Sequence, residues 1–319
     1  MTTAADHSVA IIIAAYNAAA TIERAVRSAL AQPEAREVWV VDDASTDETG
    51  AIIASLCQNE PRVQLLRQPA NAGPAAARNA AIAAARAPWI AILDADDHMA
   101  EGRLKALLAH AERADFVADL LIRTPETAPT PRFTPGPAKI ERTLTFADFV
   151  LGNQGALKGP LDLGFIKPVY ARAFLEKHAL AYRPEMRLGE DYELYARALA
   201  LGARFVITQP AGYFSVERAG SLSRQHSELD LQRLRDCDDD LMHIRDFSRE
   251  ELRALRRHRD SVDCRLQWRR LISAVKARDT SAALSTFTSP RSSLYLAARL
   301  GEQAWLRSLR FAGLTERAA

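Results

Sequence analysis

The stretch of the sequence best suited to chemistry is Asp94-Ala-Asp96-Asp97, which carries three carboxylates within four positions. Carboxylate oxygens are hard ligands that suit Mg²⁺ or Mn²⁺, and such ions combine few protein carboxylates with the phosphates of a substrate. Aspartate also favours turns and helix starts, so the same triplet could be only a turn. We expect Asp97 to be the N-cap of the helix that follows, with Glu101 near its positive end.

Five apolar residues run directly into this stretch and predict a short buried strand. Two earlier apolar runs, residues 9–14 and 37–43, also end in polar residues, and helical spacing follows each of them. Alternating strands and helices are the pattern of a doubly wound parallel sheet. Right-handed crossovers would bring Ala14, Asp43 and Asp94 to one edge of that sheet, where such folds bind ligands. The sequence therefore predicts a nucleotide-type site at this edge.

The second half of the chain predicts further elements of both kinds. We expect a strand over residues 116–122, followed by a proline-rich surface loop over 124–138. A helix that begins with Glu190 and Asp191 precedes a strand over residues 204–208. From about residue 228 the pattern is helical, with a break near 280–291. We therefore divide the chain into a catalytic domain, residues 1–227, and a helical C-terminal extension, residues 228–319.

The composition is that of an ordinary globular protein with a full-sized core, because 48% of the 319 residues are hydrophobic and 26% are charged. The three cysteines are isolated, which argues against a structural zinc site and against a disulfide framework. The sequence has no apolar run of membrane-spanning length, and its N-terminus lacks the features of a signal peptide. We therefore expect a reduced, cytoplasmic protein.

The charge is unevenly spread along the chain. From Arg245 to the end there are 16 Lys and Arg residues against 8 Asp and Glu residues, although the net charge of the whole chain is only +2. A basic tail is most often a solvated helical face, but it can also meet an anionic surface. The amphipathic segment 293–311 leaves two partners open, the inner face of the cytoplasmic membrane and a second subunit. A nucleic-acid partner is not expected, because the arginines lack interleaved aromatic residues.

Several short stretches together resemble the inverting family 2 glycosyltransferases of the GT-A fold. They occur in the order and at the spacing usual for that family and span about residues 8–225. The resemblance implies a GT-A (Rossmann-like) α/β fold with a mostly parallel sheet flanked by helices. The stretches are Ala14-Ala15-Tyr16-Asn17, Val41-Asp42-Asp43-Ala44-Ser45-Thr46-Asp47, Asn71-Ala-Gly73 with Ala77-Arg78-Asn79, Asp94-Ala-Asp96-Asp97 and Gly189-Glu190-Asp191.

The resemblance also implies how the nucleotide of a sugar donor is held. Tyr16 would stack on the base and Asp43 would accept a uracil N–H, with Ala14 beside them. Without the resemblance, Asp43 is as well explained as a helix-start residue. Asn71, Gly73 and Arg78 would line the nucleotide side of the site, although Arg78 could equally face solvent on its alanine-rich helix.

For the reaction itself, the resemblance assigns Asp94 to the ribose and Asp96 to a Mn²⁺ or Mg²⁺ ion that bridges the two phosphates. Asp191 would be the general base that accepts the proton of the acceptor hydroxyl, and Glu190 would orient it or touch the acceptor. The alternative for this pair is simple capping of a helix. His226 would be an additional metal ligand, although a lone histidine is more often an ordinary residue.

An active-site loop and an acceptor complete the predicted machinery. Arg218 and Ser221 resemble the C-terminal active-site loop of the family. The implied partners are a nucleotide-diphosphate sugar, with UDP as the first choice, and a saccharide or lipid-linked saccharide acceptor in surface-polysaccharide synthesis. The segment Gln267-Trp268-Arg269-Arg270 does not fit the Q-x-x-R-W spacing of processive synthases, so transfer of one sugar per binding event is expected.

Two alternative functions remain at the level of the sequence. A sugar nucleotidyltransferase has a related architecture, but the glycine-rich phosphate loop expected early in such an enzyme is missing here. A catalytically silent GT-A-like protein that binds nucleotide sugars or acts as a scaffold is the second. The presence of Asp43, Asp96 and Asp191 together argues against a silent protein.

Overall fold

Four parallel strands with helices between them form the first third of the chain. The structure is a computed structural model that describes residues 6–127, 133–136, 139–153, 163–217 and 226–311, except for the side chains of 309–311. The strands lie side by side in the order β3-β2-β1-β4, and all of these neighbours are parallel. The elements are β1 (Val9–Ala15), α1 (Ile22–Leu30), β2 (Ala35–Asp42), α2 (Thr49–Asn59), β3 (Val63–Arg67), α3 (Pro74–Ala84) and β4 (Trp89–Ile92).

The sheet is covered on both faces, which explains why its strands are continuous apolar runs. Along β1, Ala10 and Ile12 pack into one core cluster, whereas Ile11 and Ile13 pack into the other. Helix α1 contributes to the second cluster and α3 contributes to the first. The strand order reverses at β1, and a doubly wound sheet opens its ligand crevice at such a switch point. The predicted parallel sheet is therefore confirmed.

Four more strands extend this sheet to the order β3-β2-β1-β4-β9-β6-β10-β8. The sequence predicted a strand at β6 (Phe116–Asp119) and at β10 (Phe205–Thr208), but not at β8 or β9. Strand β9 is antiparallel to both β4 and β6. It has only three residues, too few for an apolar pattern to be recognised. These further elements are β5 (His98–Met99), α4 (Arg103–Leu108), β6 (Phe116–Asp119), β7 (Ile122–Pro125), β8 (Ile140–Leu144), α5 (Phe146–Leu151), a short 3-10 helix (Leu163–Phe165), β9 (Val169–Ala171) and α6 (Arg172–Lys177).

The strand predicted over residues 116–122 is in fact two strands in different sheets. Strand β6 ends at Asp119, whose carboxylate is buried and accepts hydrogen bonds from Arg103 and from the backbone N–H of Ala211. After this break, β7 joins a separate three-stranded sheet of order β5-β11-β7, in which β11 is Tyr213–Glu217. Strand β7 also extends to Pro125, at the edge of that sheet, where proline is tolerated. The predicted proline-rich loop therefore starts later than expected.

The expectation that Asp97 caps the following helix is wrong. Helix α4 begins at Arg103, after Gly102 in the left-handed conformation with φ of 82°. Asp97 is instead buried, and its Oδ1 accepts the backbone N–H of Val216 at 2.8 Å. This bond ties the carboxylate stretch to strand β11, so the three-stranded sheet supports the edge of the main one.

The rest of the chain is mostly helical, as predicted, but its first two tail helices are part of the main core. Leu234 and Leu241 from α8, and Leu255 and Val262 from α9, belong to the same apolar cluster as Phe149 of α5. The tail also breaks between α8 and α9, where Ser248 forms a capping box at the start of α9. The elements are α7 (Glu190–Ala200), β10 (Phe205–Thr208), β11 (Tyr213–Glu217), α8 (Glu228–Leu241), α9 (Arg249–Ala277), α10 (Thr280–Ser285) and α11 (Pro290–Phe311).

None of the helices in the described part of the chain combines the length and the apolar character that a bilayer crossing demands.

Candidate active site

One buried arginine joins the carboxylate at the end of β4 to the two carboxylates at the start of α7. Arg78, on α3, donates from Nη2 to Asp94 Oδ1 at 2.8 Å. Its Nη1 donates to Glu190 Oε1 at 3.0 Å and to Asp191 Oδ1 at 3.1 Å. Only 5% of the Arg78 side chain is exposed, so the alternative that it faces solvent is wrong. The structure thus brings together four of the predicted site residues.

A second cation, which the sequence analysis did not assign to the site, lies on the other side of these carboxylates. Lys167 Nζ lies 2.6 Å from Asp191 Oδ2 and 2.9 Å from Asp94 Oδ2, and only 6% of its side chain is exposed. Lys167 comes two residues before β9, which runs antiparallel to β4. Because β9 is antiparallel to β4, it begins at the edge of the sheet where β4 ends. The residues just before β9 therefore lie at the site. Only the existence of β9 could have signalled this role.

The opposite charges in this cluster hold one another in their ionised forms. Burial alone would raise the pKa of Asp94, but Lys167 and Arg78 outweigh it and lower that pKa to about 2. Burial would likewise lower the pKa of Lys167 and of Arg78, but the facing carboxylates Asp191 and Asp94 raise both above their ordinary values. The pKa of Glu190 is raised, mainly by burial and also by Asp191.

The loop before α7 is tied to α3, which fixes the distance between Arg78 and the helix start. Asn79, next to Arg78, donates from Nδ2 to the carbonyl of Tyr182 at 2.8 Å and accepts the N–H of Tyr182 at 2.9 Å. The Arg78 guanidinium also lies 5.3 Å from the centre of the Tyr182 ring. The pair Arg78-Asn79 therefore positions the segment that leads into Glu190 and Asp191.

Asp43 holds the backbone of the loop that the sequence analysis assigned to the nucleotide side. Its Oδ1 accepts the N–H of Ala72 and its Oδ2 accepts the N–H of Gly73, each at 2.8 Å. Gly73 has φ of 90°, a conformation that glycine adopts readily, and it precedes Pro74 at the start of α3. Asn71 is exposed and accepts a hydrogen bond from Arg187 at 3.4 Å. Asp43 thus has a structural task, in which each carboxylate oxygen uses one of its two lone pairs.

The end of β1 presents an aromatic ring at the same edge of the sheet. Tyr16 follows β1 and is 47% exposed, whereas Ala14 is half-buried inside the strand. The turn after Tyr16 is fixed by Asn17, whose φ is 48° and whose Oδ1 accepts the N–H of Thr46 at 2.8 Å. A large exposed aromatic ring in a fixed place can stack on a planar ligand.

The carboxylate stretch after β4 fits a Mg²⁺ or Mn²⁺ ion that a substrate would help to bind. Among the residues that the structure describes, no three His, Cys, Asp or Glu side chains form a ready-made metal cage. Such a cage is not what these ions need, because Mg²⁺ takes one or two carboxylates and completes its shell with water and substrate phosphates. Asp96 is half-buried, and its backbone carbonyl accepts a hydrogen bond from Arg24 at 2.7 Å, which holds the turn in place.

Three other predicted residues lie outside this arrangement or outside the described structure. Arg218 and Ser221 lie outside the described residues, so the predicted active-site loop stays a prediction. His226 is described and half-buried just before α8, and no metal-ligand group that includes it is found among the described residues. Its role as a metal ligand also stays a prediction.

Next to Asp94 and Asp96, the side chain of Asp97 has a strongly raised pKa. Burial raises its pKa to about 8, and the neighbouring charges of Asp94 and Asp96 act in the same direction. The hydroxyl of Tyr213 forms a hydrogen bond with it as well. The strand-end carboxylates therefore differ strongly, with Asp94 ionised by its cations and Asp97 favouring the protonated form.

The assembled edge can do three things chemically. The cations Arg78 and Lys167 are paired with Asp94, Glu190 and Asp191, and they hold these carboxylates in place at the edge of the sheet. The carboxylates after β4 can hold a divalent ion, and Tyr16 can stack on a base. Asp191, at the start of α7, can accept a proton. These are the parts needed for displacement at a phosphate-activated carbon.

Comparison with known proteins agrees with this arrangement. The family model described as "Glycosyl transferase family 2" matches residues 10–153. The succinoglycan biosynthesis protein ExoU of Rhizobium meliloti (strain 1021) is 43% identical over 281 residues, which cover 85% of this chain and 80% of ExoU. The succinoglycan biosynthesis protein ExoO of the same organism is 40% identical over 220 residues, 68% of this chain and 62% of ExoO.

Solved structures with little sequence similarity share the fold. S. aureus TarS 1-349 in complex with UDP-GlcNAc has a TM-score of 0.61 at 19% identity, over 90% of this chain and 92% of that chain. The mannosyltransferase PcManGT from Pyrobaculum calidifontis, in complex with GDP-Man and Mn2+, has a TM-score of 0.56 at 19% identity, over 93% and 87%. The GT-A fold that the sequence resemblance implied is therefore confirmed. The extent and identity of the match with ExoU establish that this chain is a glycosyltransferase of family 2.

Proposed function

We propose that this glycosyltransferase moves one sugar at a time from a nucleotide-diphosphate donor, with UDP as the first choice, onto an acceptor hydroxyl with inversion at C1. The observation that carries the proposal is the placement of Asp191. It lies at the start of α7, across a shared pair of cations from the strand-end residue Asp94. This places the proposed base on one side of the cleft and the sheet edge that would bind the nucleotide on the other. Such an arrangement suits a direct displacement.

In the proposed reaction, the acceptor oxygen attacks C1 of the donor sugar as Asp191 accepts its proton. The bond from C1 to the acceptor oxygen forms while the bond from C1 to the phosphate oxygen breaks. The electron pair leaves with the nucleoside diphosphate. A single displacement of this kind inverts the configuration at C1. A positioned general base contributes about 10²–10⁴-fold to such a rate.

The donor would be held by the residues at the ends of β1, β2 and β4. Tyr16 would stack on the base, and Asp43 would accept an N–H from it through its remaining lone pairs. Asp94 would contact the ribose, and Arg78 would face the nucleotide side. Asn71, Gly73 and Ala14 would complete the walls of this half of the site.

Asp96 would hold a divalent ion, Mn²⁺ or Mg²⁺. When bound, such an ion supplies Lewis-acid neutralisation of the charge that grows on the leaving diphosphate. The binding of Mn2+ by PcManGT supports this proposal for a chain of the same fold. His226, Arg218 and Ser221 keep the roles that the resemblance gave them, as an additional ligand and as parts of an acceptor-side loop.

The acceptor is a saccharide or a lipid-linked saccharide in the assembly of a bacterial exopolysaccharide. The support is the similarity to ExoU and ExoO, which are named as succinoglycan biosynthesis proteins. The proposal places the enzyme in the cytoplasm. It includes contact between α11 and the inner face of the membrane, because Leu294 and Trp305 on that helix are 74% and 62% exposed. A second subunit on the same face is the competing outcome.

The test is a screen of UDP-, GDP- and dTDP-sugars against saccharide acceptors, with release of the nucleoside diphosphate as the signal. Each pair is measured with Mn²⁺, with Mg²⁺ and with a chelator, and the product configuration is determined by NMR. We expect metal-dependent release from a UDP-sugar and an inverted product. Activity that is fully retained in chelator, or a product with retained configuration, would contradict the proposal.

A further inference from the structure

A buried polar cluster lies outside the catalytic cleft and joins three helices. The hydroxyl of Tyr192 on α7 donates to Asp238 Oδ1 on α8 at 2.7 Å. The other carboxylate oxygen of Asp238 lies 2.6 Å from Nδ1 of His258 on α9. The rings of Tyr192 and His258 stack with their centres 4.3 Å apart. All three side chains are at least 97% buried, and none of them takes part in the proposed reaction.

The cluster is connected to the proposed base through the position of Tyr192 on α7. Tyr192 directly follows Asp191, so both belong to the first turn of α7. Side chains at adjacent helix positions point about 100° apart. A contact that fixes the direction of the Tyr192 side chain therefore also fixes the direction in which Asp191 leaves the helix. Any rotation or shift of α7 about the Tyr192 hydrogen bond would therefore move the Asp191 carboxylate.

Helix α8 makes further contacts with the start of α7 and with the loop that precedes it. A Cβ added to Gly189 would lie 2.6 Å from a methyl carbon of Leu234, so α8 packs directly against the backbone where α7 starts. Arg183, in the loop before α7, pairs with Asp240 of α8 and with the fully buried Glu193 of α7. The segment that carries the proposed base thus rests on α8.

Stability alone does not explain a cluster of this kind. A buried carboxylate has to be compensated by good hydrogen bonds, and well-packed apolar residues often give equal or greater stability. Apolar contacts, however, tolerate sliding, whereas a hydrogen bond of 2.7 Å fixes distance and direction. Burial and the nearby Asp238 raise the pKa of Tyr192 well above its ordinary value, so its hydroxyl stays a donor to Asp238. Such a cluster is suited to fixing the register of packed helices.

We infer that Asp238, held by His258, is a positioning residue that sets the angle and register of α7 and thereby aims Asp191 at the acceptor. The inference rests on the proposed role of Asp191 as the base. By this inference α8 and α9 support the geometry of the active site, although the sequence pattern assigns them to a C-terminal extension outside the catalytic domain. We expect donor binding to change much less than turnover, because most of the proposed donor residues lie at the strand ends and only Arg78 contacts Asp191 directly.

The test is a double-mutant cycle of Tyr192→Phe and Asp238→Leu in the full-length chain. Tyr192→Phe removes only the hydroxyl, so it tests the contact even where Asp238→Leu fails to fold. Misplacement by about 1 Å can reduce turnover by about 10²-fold, so we expect kcat to fall by about 10- to 100-fold in each single variant. Because both changes break one contact, the double variant should be no worse than Asp238→Leu alone. The donor Kd, measured by calorimetry, should stay within about two-fold of wild type, since an effect on turnover alone is the signature of lost orientation.

Asp239→Leu is the matched control, because it makes the same chemical change at the next position of α8. Asp239 pairs with Arg259 at 2.6 Å, but its side chain is 43% exposed. This control should keep wild-type kcat. The inference is overturned by wild-type kcat in Tyr192→Phe, by additive effects in the double variant, or by a loss confined to the melting temperature. Failure of the proposed base would show separately, as an active Asp191→Asn variant, and the cycle would still decide whether α8 sets turnover.

Discussion

Lys167 Nζ lies 2.6 Å from Asp191 Oδ2, while Arg78 Nη1 lies 3.1 Å from the other oxygen of the same carboxylate. Both oxygens of the proposed base are therefore oriented by cations that also hold Asp94. This arrangement couples the nucleotide side of the cleft to the acceptor side through two buried charges. It also makes Lys167 as important to the geometry of the base as the residues that the family resemblance identified.

Replacement of Lys167 by methionine should damage both stability and turnover. The variant leaves Asp94, Asp191 and Glu190 with Arg78 as their remaining partner in the cluster that the structure describes. Loss of one partner from a buried pair costs roughly 3–5 kcal/mol of unfolding free energy. We expect that loss in urea unfolding, together with a fall in kcat of about 10-fold or more, since the base loses one of its two orienting partners. Lys177→Met, at an exposed position on α6, is the control and should change neither quantity. Wild-type stability and kcat in the Lys167 variant would show that the observed contacts are incidental.

Replacement of Asp96 by alanine should abolish the metal dependence. The residue lies in the turn after β4 and not in the core, so the fold should survive with an unchanged melting temperature in chelator. Calorimetry should show that Mn²⁺ no longer strengthens UDP binding, and turnover should fall to near the background. Retention of metal-stimulated UDP binding by the variant would place the ion on other ligands.

Replacement of Asp97 by asparagine should remove a pH dependence of stability. Burial, followed by the charges of Asp94 and Asp96, raises the folded-state pKa from 3.8 to about 8. Between these values the native state binds more protons than the unfolded state. The free energy of unfolding of the wild type should therefore fall as the pH rises from about 4 to about 8, by at most about 1.4 kcal/mol per pH unit.

The Asp97→Asn variant lacks this titration, so its stability relative to wild type should increase steadily across the same window. Urea unfolding at several pH values, with chelator present in every sample, measures the difference. A constant difference between the two proteins from pH 4 to pH 8 would contradict the raised pKa.

Replacement of two exposed apolar residues on α11 should release the protein from membranes. Leu294→Glu with Trp305→Glu places negative charge on a face that the basic tail would otherwise bring to anionic lipid. Flotation on vesicles containing phosphatidylglycerol should recover the wild type and not the double variant. Leu229→Glu on α8, where Leu229 is 52% exposed, is the control and should float like the wild type. Failure of the wild type itself to float would remove the membrane proposal, and a wild-type dimer that the double variant loses would identify a second subunit as the partner.

The sequence predicted those parts of the site that follow long strands or start long helices. Asp43, Asp94 and Asp191 could be placed because an apolar run or a helical pattern ends or begins beside each of them. Lys167 could not, because it precedes a strand of only three residues whose position depends on pairing with β4 and β6. Pairing of that kind joins residues far apart in the chain, and no local pattern records it.

Two further features depended on tertiary contacts in the same way. The local sequence fits a helix N-cap at Asp97. In the structure, however, its carboxylate accepts the backbone N–H of Val216, which lies in a strand far away along the chain. The tail looked like a separate helical extension, but Leu234 and Leu255 pack into the core of the sheet. The division at residue 227 therefore remains a prediction about chain organisation, while the packing shows that α8 and α9 stabilise the body.

The central claim, that Asp191 is the general base, is tested most directly by comparing the transfer rates of Asp191→Asn and Glu190→Gln. Asparagine keeps the size and polarity of aspartate but cannot accept the proton. We predict that Asp191→Asn binds the UDP-sugar with near wild-type affinity in calorimetry and loses about 10²–10⁴-fold in transfer to the acceptor. Glu190→Gln should lose less, because Glu190 touches Arg78 and would not take the proton itself. Substantial transfer by Asp191→Asn together with an inactive Glu190→Gln would contradict the assignment of the base.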